Sequence, residues 1–142
     1  MEEMKEKDVF SCTVKHSAKP LSVTEEIQCE DVSGCDKLDA IVSNDGTPFI
    51  VECTNFVTMS VHNPKSRRNT DYDAHILCVE GGALYTGSET LAESVNNIYN
   101  KLKKHGVNIE KTDVTFSIKK YPANNYPGNF FMKASLAGYA ER

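Results

Sequence analysis

Residues 85–106 read YTGSETLAESVNNIYNKLKKHG, and this segment contains the most regular pattern in the chain. Its apolar side chains recur at steps of one, three and four residues, which places them on one face of an α-helix. Ser88 is suited to cap the first turn, and Gly106 can end the helix in the left-handed conformation. The segment therefore predicts one amphipathic helix, whose apolar face comprises Leu91, Ala92, Val95, Ile98, Tyr99 and Leu102.

Strand patterns lie on both sides of this helix. Before it, residues 72–79 and 83–86 flank a Glu-Gly-Gly turn and predict a third strand with its return. After it, residues 114–121 alternate between apolar and polar side chains, and residues 130–136 repeat that alternation. The turn-rich loop over residues 121–129 carries two tyrosines and connects these last two strands.

The upstream half predicts further strands. Residues 38–42 and 49–61 flank a segment that contains Asp45-Gly46, and this dipeptide between apolar runs is typical of a β-hairpin. The second run is long and rich in Val, Thr and Phe, which favours a bent strand over a flat one. Residues 21–30 alternate weakly, and we expect an extra strand there.

The element order is three strands, one helix and two strands, which predicts a mainly β fold with one helix. This order is compatible with the OB-fold, a five-stranded barrel with a helix between its third and fourth strands. Another small α+β fold is the alternative, because pairing is not readable from one sequence. The chain has 142 residues, so we expect an N-terminal extension with one or two strands over residues 1–37 and an OB-like domain over residues 38–142.

Composition limits the class of protein. Hydrophobic residues make up 39% and charged residues 25% of the chain, as in ordinary globular domains. No apolar run approaches the roughly 20 residues of a membrane span, so no membrane partner is expected. The charged N-terminus has no apolar stretch and does not resemble a secretory signal.

The five cysteines are an odd number without a Cys-x-x-Cys pair, which favours a reducing, intracellular compartment over a disulfide framework. Cys53 and Cys78 lie in apolar runs and are expected in the core. Four other side chains have donor atoms for zinc, but their spacing differs from that of structural zinc sites. We therefore assign no metal and no cofactor, and the side chains concerned are Cys12, His16, Cys29 and Cys35.

Charge is distributed unevenly along the chain. The formal net charge is −4, and residues 1–40 hold ten acids against five bases. Residues 100–135, in contrast, hold seven lysines against two acids. A second basic cluster lies in the loop before Asp71 and consists of Lys65, Arg67 and Arg68. This asymmetry can produce a local positive patch on an acidic molecule.

Four short motifs follow one another along the chain: His62-Asn63-Pro64, Asp71-Tyr72, Tyr85-Thr86-Gly87-Ser88 and Asn125-Tyr126-x-Gly128-x-x-Phe131. Together they resemble small phage and prophage proteins that bind single-stranded DNA through an OB-like fold. The likeness covers roughly residues 38–137, although Pro127 and Asn129 stand where such proteins tend to carry lysines. The resemblance implies an accessory of phage replication or recombination, in the cytoplasm of a bacterial host cell, and is compatible with a homo-oligomer.

Binding of single strands without sequence preference needs a basic groove along the phosphates and aromatic faces for the bases. The chain has no Trp, so stacking would fall to Tyr and Phe. Basic side chains would contact phosphates with a salt-dependent affinity. The predicted binding residues are Phe56, Lys65, Arg67, Arg68, Tyr72, Lys119, Lys120, Tyr121, Tyr126, Phe131 and Lys133.

Catalytic motifs are not found in the sequence. The histidines form no metalloprotease or deaminase pattern, and the glycines before the helix form no phosphate-binding loop with lysine. We therefore expect a non-enzymatic protein. The alternative function is a phage-encoded inhibitor of a host defence protein, which would act by protein contact or nucleic-acid mimicry through the acidic first 40 residues.

Overall fold

The computed structural model describes residues 10–30, 35–65, 70–125 and 127–141. Three helices occur in this part of the chain: α1 (Val23–Glu30), α2 (Leu38–Ile41) and α3 (Glu89–Lys104), and a short 3-10 turn spans Ile109–Lys111. The strands are β1 (Ser11–Ser17), β2 (Asp36–Lys37), β3 (Phe49–Cys53), β4 (Asn55–His62), β5 (Asp71–Val79), β6 (Gly82–Thr86), β7 (Thr112–Pro122) and β8 (Phe130–Glu141).

The strands form two sheets. The larger sheet has the order β1-β4-β5-β6-β2, and the smaller sheet has the order β3-β7-β8. In the described part of the chain, only the short β2–β6 pair is parallel. Neither sheet closes into a barrel within the described residues. The prediction of a mainly β chain is confirmed at the level of a β-rich α+β fold, whereas the count of one helix is wrong.

One bent strand joins the two sheets. Only Thr54 separates β3 from β4, and these segments pair in different sheets. The Thr54 N–H donates to the Cys78 carbonyl at 2.8 Å, and its hydroxyl donates to the same oxygen at 3.3 Å. The predicted bent strand over residues 49–61 is thus confirmed.

A buried amide holds the N-terminal segment at this bend. Asn55 is completely buried, and its Oδ1 accepts from the backbone N–H groups of Lys19 at 3.0 Å and of Phe56 at 2.8 Å. Its Nδ2 donates to the Lys19 carbonyl at 3.2 Å. The Lys19 ammonium lies 3.5 Å from an Asp113 carboxylate oxygen, and both side chains are nearly buried. The bend is therefore fixed by groups that are far apart in sequence.

Helix α3 packs its apolar face into the core between the sheets, as its sequence predicts. The Ser88 hydroxyl accepts from the Leu91 N–H at 3.3 Å, and Gly106 has a φ of 86°. Both predicted ends of the helix are confirmed. The core around α3 includes Leu91, Val95, Tyr99, Leu102, Phe56, Leu77, Cys53, Val114, Phe116, Ile118 and Met132.

Helix α1 covers the opposite face of the larger sheet, where it buries Cys29 against Ile76 and Cys78. The expected strand over residues 21–30 is therefore wrong. The Ser22 hydroxyl accepts from the Glu25 N–H at 3.2 Å, while the Glu25 carboxylate accepts from the Ser22 N–H at 3.1 Å. This reciprocal pair is a capping box, which starts a helix and outweighs the weak alternation.

The expected hairpin around Asp45 is also wrong. Leu38 and Val42 are both buried, and their spacing of four residues suits a helix, so residues 38–41 form α2. The loop after it is closed by Asp45, whose Oδ1 accepts from the Thr47 N–H at 2.9 Å. Hydrogen bonds from Thr47 and Ser43 lower the pKa of Asp45 to about 2.

Cys53 and Cys78 lie in the core, as predicted. Burial raises the pKa of the Cys53 thiol to about 12, so it remains protonated at neutral pH. No helix in the described part of the chain has the length and apolar character needed to span a membrane.

We predict that Asn55→Ala will lower the free energy of unfolding by about 2–3 kcal/mol, because it leaves buried backbone groups of Lys19 and Phe56 unpaired. Urea unfolding followed by circular dichroism measures this loss. Asn124→Ala, in an exposed loop, is the control and should change stability by less than about 0.5 kcal/mol. Equal stability of the two variants would show that the Asn55 amide does not hold the bend.

A second prediction concerns Tyr99, whose buried hydroxyl has no hydrogen-bond partner among the described residues. Burial raises the pKa of this phenol, which stays neutral. Its ring packs edge-on against Phe116, with ring centroids 5.7 Å apart. Tyr99→Phe removes only the unpaired hydroxyl and should raise the free energy of unfolding by about 1 kcal/mol. Tyr99→Ala should lower it by about 3–5 kcal/mol. Destabilisation by Tyr99→Phe would contradict this account.

Candidate nucleic-acid interface

One face of the small sheet is open to solvent. Helix α3 packs against the inner face, which carries Phe116, Ile118 and Met132. Because side chains alternate along a strand, the residues between these positions point to the opposite side. We call that side the outer face of the small sheet, and it comprises Ile50, Glu52, Thr115, Ser117, Lys119, Tyr121, Phe131, Lys133 and Ser135.

An aromatic pair lies at one end of this outer face. Tyr121 and Phe131 are direct partners across β7 and β8. Their rings are stacked with centroids 5.5 Å apart and planes inclined by 23°. Tyr121 is 41% exposed, so part of its ring is accessible from solvent. The pair forms a continuous aromatic surface on the sheet.

Two lysines lie beside the aromatic pair. Lys119 and Lys133 face each other across the strands, one position further along the same face. The Lys133 ammonium lies 5.8 Å from the centroid of the Phe131 ring, which is within the range of a cation–π contact. Neither lysine forms an ion pair with a carboxylate in the described part of the chain. Since directly opposed like charges repel, an anion bound between them would be stabilised.

Three predicted binding residues lie elsewhere. Phe56 is fully buried in the core, with its ring 6.1 Å from the His75 ring, so it offers no surface to a base. Tyr72 is half-buried against the outer face of the larger sheet. The Lys120 ammonium donates to the Asn44 side-chain oxygen at 3.0 Å and to a carbonyl of α2, and so lies on the inner side of β7. None of the three belongs to the outer face of the small sheet.

The basic loop after β4 is separate from the aromatic pair in topology. Lys65 is exposed in this loop, whereas Arg67, Arg68 and Tyr126 fall outside the described residues. The loop follows the last residue of β4, while Tyr121 lies beyond Ile118, which pairs with the first residue of β3. Lys65 and Tyr121 therefore lie at opposite ends of the bent strand.

Sequence reasoning missed a buried polar network on the larger sheet. His75 Nε2 lies 3.1 Å from Glu89 Oε1, and His75 Nδ1 lies 2.9 Å from Thr58 Oγ1. Because an ionised carboxylate only accepts, Nε2 donates to Glu89, and in the neutral imidazole Nδ1 then accepts from the Thr58 hydroxyl. The network connects β4, β5 and the first turn of α3 beside a cavity of about 540 Å³. The contact between Thr58 and His75 follows from the strand register, which pairs these two residues and is not readable from the sequence.

The described residues contain no metal-binding group of three or more ligands, so the four side chains with donor atoms for zinc do not come together. These side chains are Cys12, His16, Cys29 and Cys35. The Cys12 thiol donates to the Cys29 carbonyl at 3.9 Å, and the Cys35 thiol donates to the Gln28 carbonyl at 3.8 Å. Both thiols thus contact the end of α1.

Searches against models of protein families, curated protein sequences and solved structures find nothing that matches this chain. The candidate interface is therefore interpreted from its own geometry.

Proposed function

We propose that this chain is a non-enzymatic protein of phage or prophage type that binds single-stranded nucleic acid in the cytoplasm of a bacterial host cell. The observation that carries the proposal is the stacked Tyr121–Phe131 pair, of which Tyr121 is exposed, beside Lys119 and Lys133. A base can stack on the aromatic surface while an adjacent phosphate is held by the lysines. Each such stack contributes about 1–3 kcal/mol and tolerates any base.

The arrangement of strands supports an OB-like origin for this site. If β3 and β4 are counted as one bent strand, the pairings run β6-β5-β4 and then β3-β7-β8. In sequence order, with the bent strand counted first, helix α3 lies between the third strand, β6, and the fourth strand, β7. This is the element order of an OB barrel that is open between β6 and β8. We propose that the fold is an open OB-like layout with an added strand β1.

Helix α1 explains why the proposed site lies on the small sheet. OB domains bind oligonucleotides across their second and third strands and through the flanking loops. In this chain the outer face of β5 is covered by α1, where Cys29 of the helix packs with Ile76 and Cys78 of the strand in a buried apolar layer. The face of β7 and β8 is open instead. Lys65, with Arg67 and Arg68 from the sequence, extends the proposal to the loop after β4.

The second candidate function is inhibition of a host defence protein through direct contact, and one observation favours it. Helix α1 exposes 75% of Val23 and 62% of Ile27, four residues apart on its outward side. Glu26 and Glu30 are exposed on the same helix. An acidic and apolar surface of this kind suits a protein partner better than a nucleic acid.

The test of the proposed function is fluorescence anisotropy with labelled oligo-dT and the full chain at low and moderate salt. Saturable binding that weakens as salt is added supports the proposal, since phosphate contacts release counterions. Absence of binding at low salt would refute it and would leave the inhibitor function as the stronger candidate.

We predict that Tyr121→Ala will weaken oligo-dT binding about tenfold, because a stacking contact of about 1.4 kcal/mol is lost. The matched control is Tyr139→Ala. Like Tyr121, Tyr139 is an exposed tyrosine, but it lies on β8 and lines a groove beside α3. Both variants should melt within a few degrees of the parent chain. Equal affinity of the two variants would remove the aromatic pair from the site.

The lysines are tested through the salt dependence of binding. The double variant Lys119→Gln with Lys133→Gln should reduce the slope of log affinity against log salt by about 1.4, because each contact with a single strand contributes about 0.7. The control pair Lys103→Gln with Lys104→Gln removes the same charge from the last turn of α3. A slope that falls equally in both pairs would indicate bulk attraction rather than contacts at the small sheet.

A further inference from the structure

In the described part of the chain, side chains of α3 protect the edge of β8 along the first half of the strand only. The Thr90 hydroxyl donates to the Met132 carbonyl at 3.0 Å, and the Ser94 hydroxyl accepts from the Ala134 N–H at 2.9 Å. These backbone groups point away from β7, which is the other neighbour of the strand. Two side chains one helical turn apart thus replace a neighbouring strand.

Among the residues that the structure describes, the second half of β8 has a free edge. Leu136 follows Ala134 by two residues, so its N–H and C=O face the same open side. No side chain of α3 forms a hydrogen bond with the strand beyond Ala134 in the described residues. Leu136 is 44% exposed and Tyr139 is 52% exposed. The strand therefore offers both backbone groups and apolar side chains at this edge.

A groove of about 520 Å³ runs between this edge and the second half of α3. Its apolar lining comprises Ile98, Leu102, Val107, Ala134, Leu136 and Tyr139. Its charged and titratable lining consists of Lys101 and His105, which come from the basic end of α3. The groove thus combines an apolar floor with a positive rim.

This charge selects among the possible occupants. A second copy of the chain, paired through its own β8, would bring two basic α3 ends to one interface, and like charges disfavour that arrangement. An extended segment of negative net charge would instead be attracted by the local positive field of Lys101, while its alternate apolar side chains enter the groove. Addition of a strand to an open edge supplies the backbone hydrogen bonds.

We propose that the free edge around Leu136–Tyr139 and the adjoining groove bind an extended acidic peptide segment of another protein, which adds to β8 as a further strand. This site is separate from the outer face of the small sheet. The chain would then link a nucleic-acid strand to a protein partner, although the peptide site does not depend on nucleic-acid binding.

Isothermal titration of the full chain with the synthetic peptide acetyl-Asp-Val-Glu-Ile-Asp-Val-Glu-amide tests the proposal. We expect saturable binding of one peptide per chain. Tyr139→Ala combined with Leu136→Ala should weaken it at least about tenfold, and Lys101→Glu should do the same. Tyr121→Ala, the matched variant on the outer face of the small sheet, should leave peptide affinity unchanged.

Changes in the peptide provide an arm that does not depend on the folding of any variant. Replacing the acids by lysines should weaken binding at least about tenfold, and replacing the central Ile by Pro should do so by removing a backbone donor. Equal binding of the acidic and basic peptides would overturn the proposal. So would a dimer in sedimentation velocity that the Leu136 and Tyr139 changes dissociate, since it would assign the edge to a second copy. Loss of oligo-dT binding with retained peptide binding would refute only the proposed function.

Discussion

The Asn55 amide holds the point where one strand leaves the larger sheet and enters the smaller one. Its oxygen accepts hydrogen bonds from two backbone N–H groups, and its nitrogen donates to a backbone carbonyl. Both polar atoms of this buried side chain therefore have hydrogen-bond partners. An unpaired backbone group in this position would cost about 1–3 kcal/mol. Because both sheets share this strand, the orientation of every exposed face depends on the bend. The same bonds bring Lys19, and with it the N-terminal segment, into the core.

The two longest helices then decide which faces remain open. Helix α3 fills the space inside the bend, and its side chains also protect the first half of β8. Helix α1 covers the outside of the larger sheet. Among the described residues, the outer face of the small sheet and the last part of the β8 edge are covered by neither helix. The first has aromatic rings with cations, and the second has an apolar groove with a basic rim.

The features that could be predicted from sequence are those set by local periodicity. Alternation along β7 and β8 was enough to place Tyr121, Phe131 and Lys133 on one exposed face. It failed for Phe56, because β4 is covered on both sides and the polar neighbours of Phe56 are buried with it. Alternation places Lys120 on the inner side of β7, where its ammonium donates to partners 76 and 81 residues away in the sequence. The weak alternation of residues 21–30 predicts a strand, but the capping box between Ser22 and Glu25 starts helix α1 and outweighs that pattern.

The net charge of −4 does not oppose a nucleic-acid site on the small sheet. The exposed carboxylates of α1 lie on the outer face of the other sheet, and at 0.1 M salt charges are screened over about 10 Å. A phosphate near Tyr121 therefore interacts mainly with Lys119 and Lys133, and much less with the acidic helix. Glu52 is the acid on the same face, but it lies opposite Thr115, whereas Lys119 is four residues further along β7. Since residues in a strand rise about 3.3 Å each, roughly 13 Å separates these positions, and the end of the face that carries the rings is locally basic.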